Sequence, residues 1–435
     1  MNFDRNNVQK MNRILCCLAL MAMSTMGASA QSGTNSPYSQ YGLGDLADQG
    51  VGFNKAMSGV GLAFRKGNEV NPLNPASYSS VDSLSMIFDA GLSGQITNYD
   101  ENGTTKSAKG GGFDYVTGLF RAFKNVGVNV GIMPYSNIGY NYSVSTRLKD
   151  LDTSVPVKYE GTGGVHQIFL GAGWKILKPL SLGFNFAYIW GEYDRYVTST
   201  NSSINILSRH YSASINSWKL DVGLQYDQPI SKTDFITVGA TFSPGHSLKS
   251  DPECDVISRN TSIGKSDTTS YVIHDALDIP TTWGVGLAYR HGVTLRIGAD
   301  FQMQKWGSLS YPTINEKNEY VLMDGLLKDS YKLNAGAEWM PNPRSHKLLS
   351  HVRYRIGAGY TTPYYYINGQ EGPKDFHVSL GFGIPIINMY NNRSILNISA
   401  QWQRRSADHL ITENTFCFNI GLTFNERWFA KWKIE

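Results

Sequence analysis

Charge is scarce in this chain: 17% of its 435 residues are Asp, Glu, Lys or Arg, against about a quarter in ordinary globular proteins. Cysteine is scarcer still, with four in the whole chain. Cys16 and Cys17 fall within an N-terminal export signal, so only Cys254 and Cys417 survive its removal. These two lie in a long polar stretch and on a terminal strand, which argues against a disulfide, so something else stabilises the exported protein. Beyond the N-terminus no apolar run approaches the roughly 18 residues of a membrane helix. A helical membrane protein is excluded; a membrane strand, which needs only about 9–11 residues, is not. HExxH, CxxC, GxSxG and the Walker-type GxxxxGK[ST] are all missing, and the nine histidines do not cluster at ligand spacing. No metal and no cofactor is implied.

The export signal consists of a basic region with Arg5, Lys10 and Arg13, an apolar core from Ile14 to Met23, and the small-x-small pattern Ala28-Ser29-Ala30 before Gln31. Arg13 and Ile14 stand too close to Cys16 and Cys17 for a lipoprotein site. Removing residues 1–30 takes away three basic residues and one acidic one, leaving 36 Lys and Arg against 34 Asp and Glu. So balanced a surface predicts no nucleic-acid partner.

What the chain has in abundance is alternation, with 44 Gly, 25 Tyr and 19 Phe to carry it. In LSLGFNFAYIW, Leu180, Leu182, Phe184, Phe186, Tyr188 and Trp190 alternate with Ser181, Gly183, Asn185, Ala187 and Ile189. Period two means a strand with one large apolar face. The pattern recurs in WKLDVGLQY, LRIGADFQM, YKLNAGAEW and FCFNIGLTF. Fourteen such segments lie near 83–99, 111–123, 126–146, 163–176, 180–197, 208–226, 234–246, 270–290, 293–309, 328–340, 350–363, 374–386, 394–405 and 414–425.

Long polar connections (100–110, 148–162, 247–269, 310–327) follow odd-numbered strands, and short ones such as Lys124-Asn125 follow even-numbered strands. Tyr188 and Trp190, Trp218 and Tyr226, and Tyr331 and Trp339 bracket apolar stretches as interfacial girdles do. The opposite face carries Lys175, Lys219, Asp221, Arg290, Arg296, Asp300, Lys332, Glu338, Arg353 and Arg355. A dry sandwich core does not take so many charges, whereas a hydrated lumen does. The expected fold is all-β: a transmembrane antiparallel β-barrel of about fourteen strands in the outer membrane of a Gram-negative cell. Its outer face meets lipid, and Lys219, Asp221, Arg290, Arg296, Asp300, Arg353 and Arg355 line its lumen.

A barrel of fourteen strands encloses more space than its own side chains fill, so an open pore or a plug is expected. Residues 31–82 precede the first strand, lack alternation and are rich in Gly, Asn and Ser. Inward glycines such as Gly173, Gly183, Gly223 and Gly357 leave room for packed backbone. The organisation expected is a signal at 1–30, an N-terminal hatch at 31–82, a barrel at 83–425 and a short periplasmic tail at 426–435.

The run Asn54-Lys55-Ala56-Met57-Ser58-Gly59-Val60-Gly61-Leu62-Ala63, followed by Asn71-Pro72-Leu73-Asn74-Pro75-Ala76-Ser77-Tyr78, resembles the hatch of FadL-type long-chain fatty acid and hydrophobic-compound transporters. Ile279-Pro280-Thr281-Thr282-Trp283-Gly284-Val285-Gly286-Leu287-Ala288-Tyr289 resembles one of that family's strands; Ser58 departs from its usual glycine. The resemblance implies a plugged barrel that passes hydrophobic molecules sideways into the bilayer. Asn71, Pro72, Asn74, Pro75 and Ala76 are the expected hatch seat. In the third strand, VNVGIMPYSNIGYNYSV, Pro134 removes a ladder donor and Gly139 weakens the strand, so a kink or bulge is expected there. The family's wall opens at a kink in its third strand, which makes Pro134 and Gly139 the expected lateral gate.

Passive uptake of a hydrophobic, fatty-acid-like molecule is therefore the first functional reading, with that ligand and membrane lipid as partners. The alternative is a non-enzymatic scaffold that receives a periplasmic or secreted protein. The weakest is a lipid hydrolase using His377 and Ser379, two apart on one strand. That pair faces the lumen while Phe376, Val378 and Leu380 hold the lipid side, so no enzyme is expected. Inward Lys and Arg outnumber acids, which suits an anionic head group; pairing across neighbouring strands explains them equally. In the tail, Trp428, Phe429 and Trp432 among Arg427, Lys431 and Lys433 suit an interface anchor or a periplasmic contact.

Overall fold

Strand alternation becomes a wall only when the last strand finds the first. The computed structural model describes residues 33–83, 85–101, 103–147, 154–200, 205–260, 263–315, 317–345, 347–386 and 394–427. The export signal and the aromatic tail after Arg427 lie outside these residues. Among the described residues the wall has fourteen antiparallel strands. They are β1 (Ser85–Glu101), β2 (Thr104–Phe123), β3 (Val126–Arg147), β4 (Ser154–Lys175), β5 (Leu180–Thr200), β6 (Asn205–Pro229) and β7 (Asp234–Ser243). The second half comprises β8 (Thr281–His291), β9 (Leu295–Lys305), β10 (Ser330–Trp339), β11 (Arg353–Thr361), β12 (Lys374–Ile386), β13 (Ser394–Ser406) and β14 (Thr412–Arg427). Each pairs with the next, and β14 pairs with β1 from Ser85↔Arg427 to Asp100↔Thr412, which closes the barrel.

The outer face is apolar as the alternation requires. Leu182, Phe184, Phe186 and Tyr188 of β5 are exposed, while Ser181, Gly183, Asn185, Ala187 and Ile189 are buried inside. Phe186 stacks on Trp218 with centroids 6.2 Å apart, and Tyr188 on Trp190 at 5.8 Å. Trp218 and Tyr226, both exposed, are separated by about 26 Å along β6. With strand tilt that covers most of the ~25 Å apolar band of such barrels. A fourteen-stranded barrel with this band belongs to the outer membrane of a Gram-negative cell.

Four boundaries differ from expectation. The polar stretches 100–110 and 148–162 are largely strand, because β1 runs to Glu101, β2 begins at Thr104 and β4 begins at Ser154. Wall strands continue past the membrane, where both faces are wet and alternation of hydropathy disappears. The segment 270–290 is divided among Lys265–Val272, Ala276–Ile279 and β8, with Asp275 and Leu277 at positive φ and Pro280 just before β8. Finally, β14 runs to Arg427, so the described barrel spans 85–427 and residues 426–427 are wall.

Residues 33–82 lie inside this wall, in two parts. The hatch proper, residues 51–82, contains a helical turn (Gly52–Lys55) and a 3-10 helix (Pro75–Ser80). Its core joins Val51, Phe53, Met57, Val60 and Phe64 to Tyr115, Met133 and Phe169 of the wall. Ahead of it runs a strap, residues 33–50, with a 3-10 helix (Pro37–Gln40) and a two-residue strand (Asp45–Leu46). Tyr38 and Leu43 of the strap join a second core with Tyr135, Ile138, Tyr140, Trp306, Tyr364 and Tyr365.

Candidate functional site

The hatch sits on a collar of wall glycines. Side chains added at Gly173 and Gly183 would collide with the Pro75 carbonyl, one at Gly239 with the Leu62 carbonyl, and one at Gly357 with the Met57 backbone. The asparagines of the hatch motif fold it onto this collar. Asn71 Nδ2 donates to the carbonyls of Gly61 (2.7 Å) and Phe64 (3.0 Å). Asn74 accepts from the Ala76 N–H at 3.1 Å, capping the 3-10 helix, and donates to Leu62 (2.8 Å) and Leu224 (3.2 Å). The Pro72 carbonyl accepts from Asn185 at 3.3 Å, and Pro75 opens the helix at a position where no N–H is needed.

A buried ionic network locks the same hatch to β9, β10 and β11. Lys66 bridges Glu69 (2.8 Å) and Glu338 (2.6 Å); Arg355 bridges the same two carboxylates at 2.8 and 2.7 Å. Arg296 reaches Glu338 at 2.6 Å, and Arg353 pairs with Glu69. Burial alone would raise Glu69, but Lys66, Arg355 and Arg353 hold its carboxylate down, to about 2. Burial pushes the Lys66 ammonium down, to about 7, against the pull of Glu338 and Glu69. Four cations thus surround two carboxylates.

Above the hatch lies a cavity of about 330 Å³. Pro72 and Leu73 form its floor, Asp45 to Gln49 of the strap one side, and Tyr364 and Tyr365 its roof. Its lining mixes apolar side chains such as Leu73, Met133, Phe169 and Ile279 with polar ones, and the charges satisfy one another. Lys219 pairs with Asp221, and Arg405 with Asp45 (2.9 Å) and Asp375 (3.3 Å); Lys332 approaches Asp48 at 3.9 Å. Gln167, Gln302, Gln304, Gln401 and Gln403 fill the spaces between them.

The third strand is irregular where its proline stands. The β3–β4 ladder shifts register between Pro134 and Ser136, leaving Tyr135 as a bulge, and continues unbroken through Gly139↔Thr162. The larger break is on the other edge. Pairing of β2 with β3 ends at Val116↔Ile132, beside a bulge at Asp114 in the β1–β2 ladder. Beyond it β2 follows β1 and β3 follows β4, and the strap occupies the slot. Asp45 and Leu46 pair with Asn137 and Ser136, the Ala47 N–H donates to the Tyr135 carbonyl (2.9 Å), and the Gly139 N–H donates to Ser39 Oγ (3.1 Å).

Of the seven residues expected to line the lumen, only Lys219 and Asp221 border the cavity. Asp300 instead accepts the N–H groups of Gly61 (2.6 Å) and Leu62 (2.9 Å) in the hatch. Arg296, Arg353 and Arg355 belong to the hatch network, and Arg290 lies over Phe235 near Asp227. Inward direction was legible, but a plug converts lining into seat. The His377 and Ser379 pair is not joined as base and nucleophile: Ser379 Oγ meets Ser58 Oγ at 2.9 Å, and His377 Nδ1 meets Asp375 at 3.2 Å. Sequence reasoning missed the strap, Lys66 and Glu69; the one available signal was the clustering of charge in Arg65-Lys66-Gly67-Asn68-Glu69, in a segment whose other charges, Asp45, Asp48, Lys55 and Asp82, are scattered.

A family model, BamG, matches residues 11–435. The chain belongs to the BamG family. This BamG-family barrel is similar in fold to the toluene transporter TodX of Pseudomonas putida, with a TM-score of 0.61 and 15% identity over 89% of this chain and 100% of that one. It is similar also to the toluene transporter TbuX of Ralstonia pickettii (0.62, 13% identity, 86% and 98% covered). A FadL homologue of Pseudomonas aeruginosa gives 0.60 and 13% identity over 87% and 99%. The fold that the hatch motif suggested is thus present over most of the chain. No curated protein matches the sequence.

Proposed function

We propose that this protein is a non-enzymatic scaffold for outer-membrane protein assembly, built on a FadL-type channel fold whose lumen is shut. The observation that carries the reading is the pairing of the cavity's charges: Lys219 with Asp221, and Arg405 with Asp45 and Asp375, already have partners, so none is left free for a ligand's head group. An alkyl chain placed there would strip water from carboxylates, amides and ammonium groups without replacing their hydrogen bonds. The family description points the same way, towards an assembly-related role.

Uptake of a hydrophobic molecule with lateral release is the second reading, favoured by the slot between β2 and β3. It requires the strap to move and an apolar route to appear. Depleting the protein in its own cell separates the two. The scaffold reading expects the content of other folded outer-membrane barrels to fall while entry of radiolabelled fatty acid and toluene is unchanged. Normal barrel content with lost entry would transfer the assignment to the uptake reading.

A further inference from the structure

We propose that the slot between β2 and β3 is an acceptor site for an extended polypeptide, held by the protein's own strap until a partner's strand exchanges into it. The inference deepens the scaffold reading and rests on it for the identity of the partner as a protein.

Two strand edges face each other across the slot. Thr104 to Tyr115 of β2 pair with β1 and not with β3, the Lys109 carbonyl accepts from Asn35 Nδ2 of the strap (3.0 Å), and the β3 edge from Met133 onward receives the strap where β2 is missing. The β2 edge carries Gly110, Gly111 and Gly112 in succession, and the nearest atom to a Cβ built on Gly112 is the Gly33 Cα at 3.8 Å. Three successive positions without side chains leave space for a main chain.

Several groups around the slot read the strap's main chain, beside others that hold its side chains. Gln95 Nε2 donates to the Gly33 carbonyl (3.2 Å), and the Tyr99 hydroxyl to the Asn35 carbonyl (2.9 Å). Arg195 and the Tyr311 hydroxyl donate to the Gly42 carbonyl at 2.7 and 2.9 Å, and the Tyr364 hydroxyl to the Gly44 carbonyl. Contacts to peptide carbonyls tolerate a change of sequence, as strand addition does in other proteins. A hydrocarbon in the slot leaves these donors without acceptors.

Strap and hatch are held separately. The glycine collar and the ionic network grip residues 56–79, whereas the strap's charged anchor is Asp45 on Arg405, supported by Ser36 on Glu413 (2.6 Å). The strap can therefore leave while the plug stays. Leaving uncovers the sites of Tyr38 and Leu43, both buried in the outer core, so exchange selects an incoming segment with an aromatic and an aliphatic side chain at that spacing.

The test uses the full-length protein in nanodiscs, with Cys254 and Cys417 changed to Ser, and a fluorescent synthetic peptide of residues 33–48 as the probe. A disulfide lock, Asn35→Cys with Gly110→Cys, pins the strap to β2. Peptide binding is expected without the lock or after its reduction, and a loss of about tenfold or more in affinity when it is oxidised. A peptide with Tyr38 and Leu43 replaced by Ser is expected to bind about tenfold more weakly. If the lock fails to form, Asp45→Ala serves instead, and freeing the strap from Arg405 is expected to raise peptide affinity. Binding that ignores both changes overturns the inference, as does no binding in any form. A dodecyl probe that enters in place of the peptide, and is excluded by the lock, also overturns it in favour of an apolar exit. Barrel loss on depletion together with failed peptide exchange would leave the scaffold reading standing and remove the slot from it.

Discussion

Glu69 is a hatch residue whose carboxylate is shared by Lys66, Arg353 and Arg355, with no solvent to replace them. Removing its charge leaves four cations, Lys66, Arg296, Arg353 and Arg355, around Glu338 alone. Glu69→Gln is expected to cost about 3–5 kcal/mol, the range for breaking a buried pair from one side. Loss of the compact, heat-modifiable band at lower urea concentration on a semi-native gel measures this; an unchanged midpoint would mean that the network contributes nothing to seating the hatch. Asn71 and Asn74 were singled out by the resemblance of their motif, and their partners, Gly61, Phe64 and Leu62, lie within the same short segment. Glu69 was not, since Glu338 and Arg355 are far along the chain and reach it only through barrel closure.

At the level of the element, β3 carries its irregularity in its own sequence. Pro134 gives no ladder N–H, and a register shift stands beside it. The break between β2 and β3 is written less plainly, because it depends on the Asp114 bulge, the glycine triplet and the strap together. Backbone groups paired on both sides exchange slowly, and those on an edge exchange faster. Hydrogen exchange followed by mass spectrometry is expected to show slow exchange in Val116 to Phe123 and faster exchange in Thr104 to Gly112. Uniform protection along β2 would mean that the wall is continuous and the slot absent.

Across the whole molecule, the lumen is stacked in three layers: the ionic hatch, the cavity with its paired charges, and the tyrosine-rich roof with the strap. Each layer blocks solute passage, so the intact protein is expected to show no steady conductance in planar bilayers. Deleting residues 33–80 removes the floor and the strap together and is expected to produce a stable ohmic pore, given the bore of fourteen strands. A deletion variant that folds, as shown by its heat-modifiable band, and still does not conduct would mean that the extracellular loops close the barrel by themselves.

The sequence by itself determined which side of each strand meets lipid, how many strands there are and that a plug precedes them, because alternation and local turn chemistry act over a few residues. The resemblance of its short motif Asn71-Pro72-Leu73-Asn74-Pro75-Ala76 also suggested the hatch, and the hydrogen bonds that shape that motif are largely internal. The tertiary structure decided what the inward charges do. Arg296, Arg353, Arg355 and Asp300 point inward as expected, yet whether they meet water, a ligand or a hatch depends on which backbone lies opposite. That is set by the register of fourteen ladders closing on one another and by where residues 33–82 come to rest. Period two identifies a face of the wall; only the closed barrel identifies the neighbour across it.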